Sequence, residues 1–218
     1  MKYELTDETK TVYGVTLHRI KYLRDFGDFI EVGDLGGWIE NEQNLDQSGN
    51  AQVSGNAQVS GNAQVSGNAQ VFGDAQVFGD AQVFGDAWVY GNAWVSGDAR
   101  VFGNAQVYGD ARVSGDARVS DNAWVSGNAR VSGNAQVSGD AWVQKTSDWM
   151  IGGPIGRRNG FTTVYRTKSG LSVRCGCFEG TIDEFAEAVE RVHGDTKHGR
   201  DYKAMIELAK VRMSDPQD

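Results

Sequence analysis

Sixteen hexapeptides run head to tail from Ser48 to Val143 without insertion or deletion. Each follows the pattern Ser/Phe/Tyr-Gly-Asn/Asp-Ala-x-Val, and one step, Ser120-Asp121-Asn122, lacks the glycine. The block decides the architecture of the middle of this 218-residue chain. A six-residue period is too short for a helical repeat or a propeller blade, which need about 30–50 residues.

Within each hexad, Ala and Val are two residues apart, which is the spacing of side chains on one face of a β-strand. The variable residue between them, and the residue after Val, then face outward. Gly followed by Asn or Asp favours a tight corner, because glycine adopts positive φ without steric cost. Each hexad is therefore predicted to form one strand and one corner, with parallel pairing between stacked coils.

The array resembles the hexapeptide-repeat left-handed parallel β-helix, a family in which three hexads form one triangular coil. The resemblance implies a mainly β fold, with about five to six coils for sixteen hexads. Three stretches together resemble uncharacterised hexapeptide-repeat proteins of phages and prophages. They are the entry LRDFGDFIEVGDLGGWIENEQNL, the GNAQV/GDARV array and the tail RCGCFEGTIDEFAEAVERVHGD. The resemblance brings no established activity with it.

Residues 1–47 are predicted to form an N-terminal β cap before the β-helix of residues 48–145. Thr11–Leu23 has strand character with two-residue alternation. Ile39 and Leu45 lie in the sequence frame of the repeat alanines, and their larger side chains are expected to plug the open end of the solenoid.

Residues 146–218 are predicted to form a ββαα module that packs on the last coil. Phe161–Arg166 and Leu171–Cys177 form a hairpin in this interpretation. Thr181 and Glu184 form a capping box for a helix that Gly194 ends. The inward residues are expected to be Ile182, Phe185, Val189 and Val192 in that helix, and Tyr202, Met205, Ile206 and Ala209 in a second helix from about Lys197 to Met213.

The outward residues differ between the three faces obtained by taking every third hexad. Face one begins at Gln52, face two at Gln58 and face three at Gln64. Faces two and three hold two aromatic residues each and all four arginines of the array. Face one holds six aromatic residues: Phe72, Trp88, Tyr90, Tyr108, Trp124 and Trp142.

An aromatic wall of this kind predicts an interface. Face one is expected to be buried in a homo-oligomer, with a trimer favoured as in many proteins of the fold, or against the flanking segments of the same chain. The alternative is that the stacked aromatic side chains only stabilise neighbouring coils.

The arginines also allow two interpretations. In the first, they offset repulsion among Asp80, Asp98 and Asp116, which stack at one corner. In the second, either arginine pair binds an anion or a nucleotide, with Trp94 or Phe102 stacking on a base. The pairs are Arg112 with Arg130 and Arg100 with Arg118.

Arg157 and Arg158 lie in a glycine-rich stretch, residues 152–160. This stretch could cradle a phosphate through its backbone N–H groups and guanidinium groups. The alternative is a flexible link that leads out of the solenoid.

No catalytic residue, metal site or cofactor is predicted. Acyltransferases of this fold use a histidine as general base, and its metal-dependent carbonic anhydrases use several as ligands. The array contains no histidine, and the chain contains only His18, His193 and His198. Zinc at Cys175 and Cys177 with two of these histidines is weighed against two small buried residues on one strand face, which the spacing favours.

The net charge of −8 does not favour nucleic-acid binding. The first ten residues, MKYELTDETK, do not resemble a signal peptide, and no apolar run is long enough to span a membrane. A cytoplasmic location is therefore expected.

The sequence predicts a non-catalytic, oligomeric scaffold that binds a host macromolecule such as a defence component. The alternatives are a small-molecule or nucleotide-signal sponge and a degenerate acyltransferase-like enzyme.

Overall fold

The computed structural model describes residues 1–26 and 30–213. Residues 27–29 and 214–218, which belong to the predicted cap and C-terminal module, lie outside the described residues. The chain is a parallel β-solenoid of about six coils, followed by a strand sheet and two α-helices. The predicted fold class is confirmed at this level.

Each hexad contributes one two-residue strand, x-Val, and strands three hexads apart pair in parallel. The three resulting sheets correspond to the three predicted faces. Face one consists of Gln52–Val53, Gln70–Val71, Trp88–Val89, Gln106–Val107, Trp124–Val125 and Trp142–Val143. Face two contains Gln58–Val59, Gln76–Val77, Trp94–Val95, Arg112–Val113 and Arg130–Val131. Face three contains Gln64–Val65, Gln82–Val83, Arg100–Val101, Arg118–Val119 and Gln136–Val137.

The corners depend on glycine because their backbone is left-handed and adjacent coils touch there. The corner glycines have φ between 58° and 75°, and a Cβ on Gly85 would lie 3.0 Å from the backbone nitrogen of Gly103. Asp121, at the one break in the pattern, adopts the same conformation with φ 59°. The corner therefore keeps the same backbone shape where the glycine is missing. Aspartate is among the residues that tolerate a left-handed backbone.

Stacked side-chain amides join the corners of successive coils. The Nδ2 atoms of Asn56, Asn62 and Asn92 donate to carboxylates 18 residues further on, at 3.1, 2.8 and 3.1 Å. Inside the solenoid, every repeat alanine and valine is buried and belongs to one continuous core. The repeat thus supplies both the hydrophobic core and the side-chain hydrogen bonds that join the corners of successive coils.

The N-terminal cap is a three-stranded antiparallel addition to face two: β1 (Tyr3–Val12), β2 (Val15–Tyr22) and β3 (Leu35–Ile39). The strand character predicted for Thr11–Leu23 is present in most of this segment, but it is not continuous. A turn at Tyr13 and Gly14, with φ 51° and 84°, divides that segment into the end of β1 and the start of β2.

The first coil is two residues longer than the others. Ile39 lies opposite Val59 and Leu45 opposite Val65, so both occupy valine positions with a spacing of 20 residues. The predicted alanine frame is therefore wrong, although both side chains are buried in the solenoid core as expected. A 3₁₀ turn, Glu42–Asn44, lies between them.

The C-terminal module has four antiparallel strands, which continue the labelling after the sixteen repeat strands, β4 to β19. They are β20 (Trp149–Ile155), β21 (Gly160–Thr167), β22 (Gly170–Cys175) and β23 (Phe178–Thr181), after a 3₁₀ turn at Thr146–Asp148. The predicted hairpin is present as β21 and β22. The outer strands β20 and β23 were not predicted.

Helices α1 (Ile182–His193) and α2 (Lys197–Arg212) pack on this sheet. Thr181 and Glu184 form the predicted capping box, and Gly194 ends α1. Val192 is exposed, contrary to the prediction, whereas the other inward residues named for both helices are buried.

The strand sheet covers the last coil. The backbone N–H of Gln136 donates to Thr163 Oγ1 at 2.9 Å, and the Ser138 and Tyr165 hydroxyls lie 3.1 Å apart. Trp149 and Tyr165 complete the solenoid core. Among the described residues, no helix is long and apolar enough to cross a membrane.

Candidate functional site on the outer faces of the solenoid

Face one carries a continuous ladder of aromatic rings. The rings of Phe72, Tyr90 and Tyr108 stack nearly parallel, with centroids 4.8 and 4.9 Å apart. Tyr108 then meets Trp124 edge to face at 6.3 Å, and Trp124 stacks on Trp142 at 4.8 Å. Each contact joins residues in adjacent coils, so the ladder extends over five coils. Partial burial among these rings raises the pKa of Tyr90.

The C-terminal module covers one end of this ladder. Lys168 lies in the turn between β21 and β22, and its Nζ is 4.3 Å from the Trp142 ring centroid and 5.1 Å from that of Trp124. Trp88, in the middle of the ladder, is 40% exposed and contacts Phe72 edge to face. The uncovered part of face one therefore lies between Phe72 and Tyr108.

Aromatic stacking between coils is not confined to face one. Phe84 and Phe102 stack on face three at 5.0 Å, and Phe78 meets Trp94 edge to face at 6.0 Å on face two. The alternative interpretation, that aromatic side chains stabilise neighbouring coils, thus describes contacts that the chain makes on all three faces. Face one differs in the length of its ladder and in its three tryptophans.

The four arginines form two laterally paired sets. Arg100 lies beside Arg118 on face three, and Arg112 beside Arg130 on face two. Among the described residues, no carboxylate lies within ion-pair distance of any of them. Like-charged neighbours without such partners repel one another, and an anion bound between them would offset that repulsion.

The Trp94 ring is already occupied on one side. The Arg112 guanidinium lies 4.6 Å from its centroid, which places a cation where a stacked base was expected. Arg100 and Arg118, with Phe102 beside them, remain the more open of the two predicted anion sites. The structure does not place either pair against Asp80, Asp98 or Asp116 as an ion pair.

A cavity lies between the tip of the β1–β2 hairpin and the outer side of face two. Its volume is about 450 Å³, and its walls are largely apolar. One wall consists of Val12, Tyr13, Val15 and Leu17 from the hairpin, and the other contains Phe78 and Trp94. This site was not predicted from the sequence, because the strand character assigned to Thr11–Leu23 took no account of a turn within that segment. The Tyr13-Gly14 pair was the available signal for a turn.

Arg157 and Arg158 are exposed in the turn between β20 and β21, on the C-terminal module. The interpretation of residues 152–160 as a flexible link is wrong, because Ile155 pairs with Gly160 across a hairpin. These two arginines belong to a different element from the four arginines of the array.

The cysteines do not lie together on a buried strand face. Cys175 is half-buried at the end of β22, where the Thr162 hydroxyl donates to its sulfur at 3.0 Å, and Cys177 is exposed in the following turn. Tyr202 lies next to Cys175, and burial raises the pKa of Tyr202 to about 12. Over the described part of the chain, no three His, Cys, Asp or Glu side chains are grouped to hold a metal ion.

The repeat array matches a family model described as the YdcK Beta solenoid repeat. The matched residues are 51–67, 57–71, 63–79, 81–97, 93–109, 105–121, 111–127 and 123–139. No curated protein matches the chain. The similarity therefore concerns the repeat array and agrees with the observed architecture, a β-solenoid repeat protein.

Proposed function

We propose that this protein is a non-catalytic scaffold that forms a homo-oligomer, a trimer in the form we favour, through face one. The observation that carries the proposal is the ladder from Phe72 to Trp142, in which each ring contacts the next across the coils. The ladder presents a straight apolar strip on a rigid solenoid. Three copies arranged around a threefold axis parallel to the solenoid would bring their strips together at that axis, with heterologous contacts that close into a ring.

The uncovered middle of the ladder fits such an interface best. Trp88 and Tyr90 lie at the two neighbouring outward positions of face one in a single coil, and Lys168 does not reach them. Burying a large aromatic side chain contributes on the order of 2 kcal/mol, so three copies of this region would contribute substantially to assembly. Aromatic side chains are also enriched in interface cores.

The chain itself suggests the variant that tests this interface. Other hexads carry Gln and Ser at the same two positions, so Trp88→Gln with Tyr90→Ser restores a native repeat unit without disturbing the core. We expect the wild-type protein to have the mass of a trimer in light scattering at micromolar concentration. The double variant should have the mass of a single chain.

Phe102→Ser on face three provides the matched control, since it also removes one stacked ring and leaves face one intact. It should assemble like the wild type. A wild-type protein that has the mass of a single chain at these concentrations would refute assembly through face one.

The second part of the proposal concerns a partner. The phage-like resemblance of the flanks and array supports a phage-encoded protein that binds a host macromolecule in the cytoplasm, such as a defence component. Co-purification from host lysate, repeated with the Trp88→Gln/Tyr90→Ser variant, tests both binding and its dependence on assembly. A partner retained equally by that variant binds elsewhere on the molecule.

One observation favours a second candidate, the binding of a nucleotide or another small anion. Arg100 and Arg118 lie side by side without a carboxylate partner in the described chain. An anion bound between them would raise the melting temperature by linkage. Cyclic nucleotides should then stabilise the wild type but not Arg100→Gln/Arg118→Gln, in which both positions carry the glutamine of neighbouring hexads.

A further inference from the structure

The tip of the β1–β2 hairpin and face two enclose a cavity that the repeat alone would not form. The cations of the hairpin bind nearer the end of the solenoid, where Lys10 Nζ and the Arg19 guanidinium lie 4.3 and 5.1 Å from the Trp38 ring centroid. Beyond Trp38 the hairpin leaves an open volume of about 450 Å³, which extends to Phe78 and Trp94.

The lining of this cavity is apolar with a few hydrogen-bonding groups. Valine, leucine, phenylalanine and tryptophan side chains form most of it, and the polar groups are the amides of Gln58 and Gln76 and the hydroxyls of Ser60 and Tyr13. Among the residues that the structure describes, no charged side chain lines it. The nearest cations are engaged with aromatic rings instead, since Lys10 and Arg19 lie over Trp38 and Arg112 lies over Trp94.

The size of the cavity and the pairing of the strands beneath it argue against two other occupants, an added β-strand and an α-helix. The face-two strands beneath the cavity already pair from coil to coil, with Gln58 N–H to Ala75 O at 2.9 Å and Ser60 N–H to Val77 O at 3.0 Å. The strands of face two beneath the cavity therefore offer an added strand no free backbone groups. An α-helix is about 10–12 Å across and needs a longer groove. A volume of about 450 Å³ is in the range of small-molecule pockets.

We propose that this cavity binds an uncharged, predominantly apolar small molecule with an aromatic ring. The ring would pack against Phe78 and Trp94, and the hairpin would cover its other side. The amides of Gln58 and Gln76 would hydrogen-bond to one polar group of the ligand. This site lies on face two, so it does not depend on assembly through face one.

Two related dyes test both the site and its charge preference. N-phenyl-1-naphthylamine is uncharged, and 8-anilino-1-naphthalenesulfonate has the same aromatic framework with a negative charge. We expect the uncharged dye to bind one per chain, with increased fluorescence, and to bind at least tenfold more tightly than the sulfonate.

The chain offers a blocking variant with a matched control. Ser60→Phe places a ring in the cavity below Phe78, at a position where Phe occurs in other coils, and should weaken binding of the uncharged dye at least tenfold. Ser66→Phe makes the same change on face three, below Phe84, and should bind the dye like the wild type. Phe78→Ser removes part of the wall and provides a second test if Ser60→Phe does not fold.

The proposal is overturned if the wild type does not bind the uncharged dye. It is also overturned if Ser60→Phe or Phe78→Ser binds the dye as tightly as the wild type. Tighter binding of the sulfonate would show that the site prefers anions, which contradicts the ligand class proposed.

Discussion

Lys2 places an ammonium group at the end of the hydrophobic core. Its side chain is fully buried, and its Nζ donates to Ala51 O at 2.8 Å. Burial lowers the pKa of Lys2 from 10.5 to about 8, an effect that Asp46 opposes in part. The sequence gives little sign of this, because a lysine at position 2 is ordinarily a solvated terminal residue.

This pKa shift predicts how stability depends on pH. Between pH 8 and 10.5 the unfolded chain holds a proton on Lys2 that the folded chain has released, so the free energy of unfolding rises with pH. The rise from pH 7 to 9.5 should be about 2 kcal/mol. We expect urea denaturation to show a smaller rise in Lys2→Met than in the wild type, since burial also lowers the pKa of Lys10 and that contribution remains.

Two controls separate Lys2 from other titrations. Lys197→Met, at an exposed position, should keep the rise seen in the wild type. Burial raises the pKa of Tyr3 and Tyr22, so their ionisation in the unfolded chain lowers stability only above about pH 10. Measurements up to pH 9.5 therefore avoid this opposite effect. Equal rises in the wild type and Lys2→Met would contradict the assignment.

At the scale of the element, the first coil shows what the pattern could not predict. The repeats were predictable because every hexad contains the same signals for a strand, for a corner and for the residues that face inward. The two extra residues of the first coil have no such signal, so the frame of Ile39 and Leu45 was misplaced. Their positions depend on contacts that are distant in sequence, since Ile39 pairs with His18 of β2 and the Tyr3 hydroxyl of β1 donates to Leu45 O at 2.7 Å.

The same reasoning explains the missed strands and the missed cavity. β20 contains Gly152, Gly153 and Pro154, which favour a loop when read locally. It becomes a strand because β21 pairs with it and because Met150 packs in the core of the C-terminal module. The cavity on face two was not predictable, since it forms only where the hairpin lies over residues of three coils.

Gln47 connects the elongated first coil to strand β1. Its side-chain oxygen accepts from the backbone N–H of Lys2 at 2.8 Å, and its side-chain nitrogen donates to Tyr3 O at 3.1 Å. Gln47→Ala leaves these backbone groups without this partner and should destabilise the cap by about 1–3 kcal/mol. We expect faster amide hydrogen exchange in β1 and unchanged exchange in the middle coils.

Gln64→Ala is the matched control, because Gln64 is an exposed residue of face three. It should leave exchange in β1 as it is in the wild type. Unchanged hydrogen exchange in Gln47→Ala would show that pairing with β2 is enough to hold β1 in place without the hydrogen bonds of Gln47.

At the scale of the whole molecule, the coils are interchangeable and the ends are not. The strands of each internal coil pair only with those of the coils above and below it, so a solenoid that lacks one complete coil can keep the same strand pairing. Deletion of residues 91–108 joins Tyr90 to Gly109 and restores the hexad pattern. We expect this shortened protein to fold, with the circular dichroism of the wild type and a cooperative thermal transition.

Truncation after residue 145 removes the whole C-terminal module, and we expect it to have a different effect from the deletion of an internal coil. It uncovers the last coil, where Trp149 and Tyr165 complete the core and Gln136 and Ser138 are bonded to the C-terminal sheet. An open solenoid end exposes both apolar side chains and unpaired strands, which favours aggregation. Size-exclusion chromatography should therefore show aggregates for the truncated protein and a single species for the coil deletion. If the truncated protein instead elutes as a single species with the wild-type melting temperature, the C-terminal module is not required as a cap.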